Sequence, residues 1–182
     1  MKKITVFGKP GSGKSTLSKN LASATGIQLH PLDSIVYKKD GELVDRKTYD
    51  SAHENILSSD SWIIDGLGPI ESFNKRLDVA DTLIYIDLPY RDSYWLVTKR
   101  LLKGLMVKPE GWPDGSSVLK GTLASYRTLK LCPKFWNDDF MKKLEEISIN
   151  KSLYVIRSIP ELNDFVEKNV TSQKTLESNL KY

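Results

Sequence analysis

Residues 8–16 read Gly-Lys-Pro-Gly-Ser-Gly-Lys-Ser-Thr, and the apolar run Ile4-Thr5-Val6-Phe7 leads into them. Gly8, Gly11 and Gly13 let the main chain turn tightly and aim successive N–H groups inward. The stretch from Gly8 to Ser15 fits G-x-x-x-x-G-K-[ST] at every fixed position. Chance yields such a match on the order of once per hundred chains of this length. Leu17, Leu21 and Ala24 follow at helical spacing, so a helix is expected from Lys14, and Gly26 is placed to stop it. A strand, a glycine loop and a helix N-terminus in this order form an anion cradle. Gly8, Pro10, Gly11, Ser12 and Gly13 are therefore expected to wrap the phosphates of a nucleoside triphosphate. Lys14 would reach the β- and γ-phosphates, Ser15 would ligate Mg²⁺, and Thr16 would help hold the α-phosphate.

Working outward, residues 27–29 read as a short second strand closed by Pro31. A helix carrying Tyr49, His53 and Ile56 on one face precedes a third strand at 61–65, whose bulky apolar run suits a sheet covered on both sides. A fourth strand spans 81–87, and a helix from 91 to Gly104 carries Tyr94, Val97 and Leu101 on one face. Residues 107–117 hold two prolines and two glycines and read as loop. A helix over 118–131 follows, then another from Pro133 with Trp136, Phe140 and Leu144 on one face. Residues 153–156 make a fifth strand, and Pro160 opens a closing helix that buries Leu162, Phe165 and Val166. Strands alternating with helices predict a three-layer α/β fold, a five-stranded parallel sheet flanked by helices. The length of 182 residues suits one domain, here 1–168, with a polar C-terminal tail over 169–182.

In a parallel sheet, ligands sit beyond the carboxyl ends of the strands. That places Gly8–Ser15, Asp33, Asp65 and the residues after Asp87 on one edge. A triphosphate with Mg²⁺ calls for an acidic residue near the metal's water shell. Asp65 is the favoured candidate, because Gly66 after it permits close approach of a ligand, whereas Asp87 reads as a helix-start residue. Asp33 either orients an acceptor hydroxyl or caps a helix. His30, before a proline, reads as structural, and with one cysteine and two distant histidines no zinc-like cluster is expected.

The net charge is +4, yet residues 99–143 alone hold ten Lys/Arg against four Asp/Glu, a local +6. That excess points to an anionic partner or to a solvated helix face. Arg100, Lys103, Arg127 and Lys130 are candidates to close over a transferred phosphoryl group. Arg76 either binds an acceptor's phosphate or pairs with Asp78, and Arg157 follows the fifth strand, where a nucleotide base would lie. Nucleic acid is the less favoured partner, since no DNA-reading motif is present. No apolar run approaches the roughly 18 residues of a membrane span. The stretch before Gly8 is too short for a secretory leader, and Cys132 has no partner in the chain, so a cytoplasmic location is expected.

These residues resemble the adenylate-kinase-like P-loop kinases. "GKPGSGKSTLSKNLASATGI" (8–27) is similar to their first strand–loop–helix, "WIIDG" (62–66) to their aspartate–glycine motif, and "LIYIDLP" (83–89) to the strand before their lid. "LDSIVY" (32–37), "RLDVADTLIYIDLPYRDSYWLVTKR" (76–100) and "VIRSIPELNDF" (155–165) resemble more closely a bacterial group called DNA topology modulation proteins. The resemblance covers about 1–168. It implies ATP with Mg²⁺, a lid-like insertion at about 104–134, and γ-phosphoryl transfer to a small-molecule acceptor, nucleoside monophosphates among the candidates. Its alternatives are a nucleotide-dependent regulator acting on DNA and a kinase fold that only binds ATP. The chain departs from the pattern at "DGLGPIESFNKR" (65–76), which lacks the proline–arginine after aspartate–glycine. It also lacks the lid arginine pair, and Tyr37 stands where the closer group has Trp.

Overall fold

Five strands, all parallel, lie in the order β2-β3-β1-β4-β5 in the computed structural model, which describes residues 1–36, 42–106 and 118–171. They are β1 (Lys3–Gly8), β2 (Leu29–Pro31), β3 (Trp62–Asp65), β4 (Thr82–Ile86) and β5 (Ser152–Ile156). The register pairs Val6 and Pro31 with Asp65, Gly8 with Ile86, and Ile86 with Ile156. The strands therefore end level, and one edge of the sheet carries all five carboxyl ends.

Both faces are covered, which explains the unbroken apolar runs. Ile4, Val6, Ile63, Ile84 and Ile86 point to the face packed by α1 (Lys14–Thr25) through Leu17, Leu21 and Ala24, and by α8 (Ile159–Val166) through Phe165. Phe7, Trp62, Ile64, Leu83 and Tyr85 point the other way. They meet Tyr49 and Leu57 of α3 (Arg46–Leu57), Phe73 and Leu77 of α4 (Ile70–Val79), and Leu144 of α7 (Asp138–Ile147). Local caps set the helix starts: Asp45 accepts from the Thr48 N–H, Asn137 from Phe140 and Ser158 from Glu161. Gly26, at φ 68°, ends α1 as expected. The remaining helices are α2 (Asp33–Val36), α5 (Tyr90–Met106) and α6 (Val118–Leu131). Helix α6 lies on α5 through the Thr98–Tyr126 hydroxyl contact at 2.7 Å and the stacked Tyr94 and Tyr126 rings.

Several expected boundaries shift. Strand β2 is Leu29–Pro31 and not 27–29, so Pro31 ends the strand instead of following it, as an edge strand permits. The helix expected from Pro133 begins at Asp138; Cys132–Lys134 make a 3₁₀ turn before it, and the side-chain cap belongs to Asn137. On α3 the buried face is Tyr49, His53 and Leu57, with Ile56 beside it. In α8 only Phe165 is fully buried, Leu162 and Val166 packing at its rim. Helix α4 is an element the sequence reading does not contain: its apolar stripe is short, and Gly66, Gly68 and Pro69 just before it read as loop. The chain stays helical to Thr171. Tyr37, residues 107–117 of the expected insertion and tail residues 172–182 lie outside the described residues. Among the described residues no helix is long and apolar enough to cross a membrane.

Candidate active site

The loop after β1 takes the form that its glycines allow. Gly8, Gly11 and Gly13 hold φ of 147°, 73° and 85°, and no non-glycine residue in the described chain has positive φ. A Cβ on Gly8 would lie 2.2 Å from the Ile86 carbonyl oxygen, and one on Gly11 2.6 Å from that of Ser93. The loop is thus seated against the end of β4 and the first turns of α5. Ser12 is fully buried within it, while Ser15 and Thr16 are exposed at the start of α1.

Lys14 Nζ donates to the Lys9 carbonyl at 2.8 Å and lies 3.4 Å from Ser12 Oγ. Desolvation pushes its ammonium below the usual lysine range, and the charges of Asp65 and Asp33 pull it back. Asp65 ends β3 and is buried. Burial pushes its carboxyl above the usual range; Lys14 and a hydrogen bond with the Ser15 side chain oppose this. Its Oδ1 has no hydrogen-bond partner among the described residues. Asp33 is the first residue of α2, exposed, with its charge felt at Lys14, Asp65 and Arg100. Arg100 comes from α5, where it donates to Ser125 Oγ of α6 at 2.9 Å; burial lowers its guanidinium and Asp33 opposes that shift.

The structure therefore brings Lys14, Ser15, Asp65, Asp33 and Arg100 to one place on the carboxyl edge. Among the described residues no hydrogen bond or ion pair joins Arg127 or Arg157 to them. Arg127 and Lys130 line a groove of about 470 Å³ between α5 and α6, together with Tyr94, Thr98, Leu123 and Tyr126. Arg157 is exposed after β5, its main-chain N–H donating to Glu161 Oε2. The side chain of Lys103 is outside the described set. His30 is part of β2, and burial lowers its imidazole.

Two arrangements escape a reading of the sequence. Asp87 does not start the helix, which begins at Tyr90: its Oδ1 pairs with the buried Lys9 ammonium and accepts from the Tyr85 hydroxyl at 3.1 Å. The same ammonium lies 4.8 Å from the centre of the Tyr90 ring. Asp87 is thus engaged by the loop's own lysine, which leaves Asp65 as the carboxylate facing Ser15. Arg76 does not pair with Asp78. It is fully buried, and its Nη2 donates to the Gly66 and Leu67 carbonyls, each at 2.8 Å. Only long-range partners, 78 and about 10 residues away, reveal these roles, and no local motif signals them. Cys132 is buried near Lys9 and Lys14, and burial raises its thiol.

Among the described residues no group of three or more His, Cys, Asp or Glu side chains could hold a metal ion. The Ser15 hydroxyl and the Asp65 carboxylate do suit Mg²⁺, which takes hard oxygens and keeps most of its coordination for phosphate and water. The unpartnered, buried Asp65 Oδ1 fits that use.

No protein-family profile and no curated protein matches the sequence. Solved structures match its fold. Shikimate kinase from Acinetobacter baumannii, in complex with shikimate, superposes with a TM-score of 0.58 at 15% identity, over 99% of this chain and 96% of that one. Shikimate kinase from Bacteroides thetaiotaomicron gives 0.54 at 14%, over 96% and 97%. The chain shares the fold of these two proteins: a five-stranded parallel sheet, order 2-3-1-4-5, flanked by helices.

Proposed function

We propose that the protein is an ATP-dependent phosphotransferase that moves the γ-phosphoryl group of ATP to a small-molecule acceptor. The observation that carries this reading is the convergence of Lys14, Ser15 and buried Asp65 beside a loop pressed so closely on β4 and α5 that Gly8 and Gly11 have no room for a side chain of their own. Lys14 and the loop amides would hold the β- and γ-phosphates, and Ser15 and Asp65 would hold Mg²⁺. Magnesium, when bound, would supply positive charge that offsets the charge of the phosphates. Asp33, exposed at the edge, orients the acceptor hydroxyl or takes its proton. Arg100 supplies positive charge where the transferred group becomes more anionic. The segment from about 104 to 134 would act as a lid over the nucleotide, bringing Arg127 toward the phosphates when it closes, and Arg157, directly after β5, would flank the base.

The acceptor class rests on likeness. Adenylate-kinase-like sequence patterns favour nucleoside monophosphates, and the Acinetobacter baumannii neighbour, solved with shikimate, adds hydroxylated carboxylic acids. A coupled ADP-release assay across both classes, with Mg²⁺, with and without DNA, is the test. Acceptor-dependent ADP release is expected. Release dependent only on DNA would favour a regulator, and failure of ATP or GTP to bind the folded protein in calorimetry would overturn the reading.

A further inference from the structure

Arg76 is the one arginine that is wholly buried among the described residues. Removing a guanidinium from water is costly unless its donors are used. Here Nη2 serves two carbonyls of one turn, while Nε and Nη1 have no partner among the described residues. Among the described residues no carboxylate forms an ion pair with it. The Phe73 ring lies 5.3 Å from the guanidinium carbon, and burial brings the group down to about 10.

The turn that it holds is the one that follows Asp65. The strand ladder fixes Asp65 itself: the Leu32 N–H donates to the Asp65 carbonyl at 2.9 Å, and the Gly66 N–H to the Val6 carbonyl at 3.0 Å. Beyond that point the chain leaves the sheet through Gly66 and Gly68, at φ of 117° and 65°. The carbonyls of Gly66 and Leu67 then face inward, and Arg76 is what they meet. Its charge also acts on the Asp65 carboxylate. Tyr49 closes the back of the turn, its hydroxyl 2.8 Å from where a Gly68 Cβ would stand.

We propose that Arg76 is a positioning residue: by clamping the Gly66 and Leu67 carbonyls it fixes the exit from β3 and so holds the Asp65 carboxylate toward Ser15 and Lys14. This rests on the phosphotransferase reading, in which Asp65 serves the metal. Arg76 touches no reacting group, so its effect appears in the metal dependence of nucleotide binding, with grip on the phosphates themselves unchanged.

The test uses the full-length protein and two variants, Arg76→Met and Arg76→Lys. ADP binding is measured by calorimetry without metal and across a Mg²⁺ titration, with thermal unfolding in parallel. Arg76→Met is expected to bind metal-free ADP within about twofold of the parent, while the Mg²⁺ needed for half-maximal enhancement rises at least tenfold. Arg76→Lys, which keeps a charge but ends one bond short of the position of Nη2 and so cannot reach both carbonyls from the same backbone position, falls between. Placed on an Asp65→Asn background, either change has no further effect on the Mg²⁺ requirement. A variant that melts earlier but keeps the parent's Mg²⁺ requirement overturns the proposal. If Arg76→Met does not fold, Arg76→Lys decides alone: a parental Mg²⁺ requirement there also overturns it. If the parent itself shows no Mg²⁺ enhancement, the phosphotransferase reading has failed and the clamp has not been the cause.

Discussion

The loop from Gly8 to Gly13 and the turn from Gly66 to Gly68 sit on the same edge of the sheet and use the same backbone freedom. Their supports differ. The first carries its own cation: Lys14 Nζ bonds back to the Lys9 carbonyl within the loop, five residues away. The second has no polar side chain of its own and takes its donor from Arg76, nine and ten residues further on and in the next helix. A turn with internal support can be recognised as a motif. A turn supported from outside depends on the packing of a whole layer, here α3 and α4 against β3.

The largest expected effect separates ligand grip from turn stability. In the proposed function Lys14 grips phosphate, while the glycines set the loop's φ angles. Lys14→Ala is expected to lower kcat/KM on the order of a thousandfold, as loss of a charge-stabilising group does, and to cost only about 1 kcal/mol in urea unfolding, since one hydrogen bond to the Lys9 carbonyl is lost. A stability loss as large as that of Gly8→Ala would show that the cation, and not the glycines, shapes the first turn.

Glycine replacement sharpens the comparison further. At Gly8 a methyl group would meet the Ile86 carbonyl at 2.2 Å; at Gly66 it would meet Leu32 Cβ at 3.3 Å. Both positions hold positive φ. The rigid backbone obstacle makes Gly8→Ala the more severe change, about 3 kcal/mol or more, against about 1–2 kcal/mol for Gly66→Ala. Equilibrium urea unfolding measures both, and equal losses would contradict the picture of one turn pressed on backbone and the other on a side chain.

Acid should weaken the second turn selectively. His53 backs it, stacked 5.8 Å from Tyr49 and 1% exposed. Burial, then the Arg76 charge, pushes its imidazole down to about 4. Between pH 6.5 and 4 the unfolded chain therefore binds a proton that the folded chain refuses, so stability falls as pH falls. The loss reaches about 3 kcal/mol at pH 4. His53→Gln removes that titration. The stability difference between parent and variant should shift by this amount across the window, and parallel curves would mean that His53 is not held neutral.

The same contrast explains how much could be read from sequence. β1, the Gly8–Gly13 loop and α1 are legible because their determinants are contiguous: an apolar run, three glycines, then Leu17, Leu21 and Ala24 at helical spacing. Asp65 is legible because Gly66 follows it. Helix α4 is not, since its fit depends on Phe73 and Leu77 filling a layer with Phe7, Tyr85 and Trp136, partners scattered along the chain. Arg76 has two plausible surface roles in the sequence, and only burial removes both. Arg127 shows the reverse: its helix is legible to the residue, yet charge and spacing do not reveal which side of α6 meets the site.

Asp87 supplies the smallest effect and the finest division between the two turns, because it is an external support for the loop that otherwise carries its own. Its partner Lys9 is 3% exposed, and the carboxylate is 30% exposed. Asp87→Asn leaves an ammonium buried against the Tyr90 ring without its counter-charge, which costs about 2 kcal/mol once partial solvation of the site is allowed for. Lys9→Met removes the charge that needed neutralising. The double variant should therefore lose less than the sum of the single losses, with a coupling of about 1–2 kcal/mol in a urea-based double-mutant cycle. ADP affinity should fall with stability in Asp87→Asn and recover in the double variant, since the ion pair seats the loop and does not bind the phosphates. Additive losses would mean that the pair contributes nothing to the loop's seating, and that Lys14 with its glycines holds the cradle unaided.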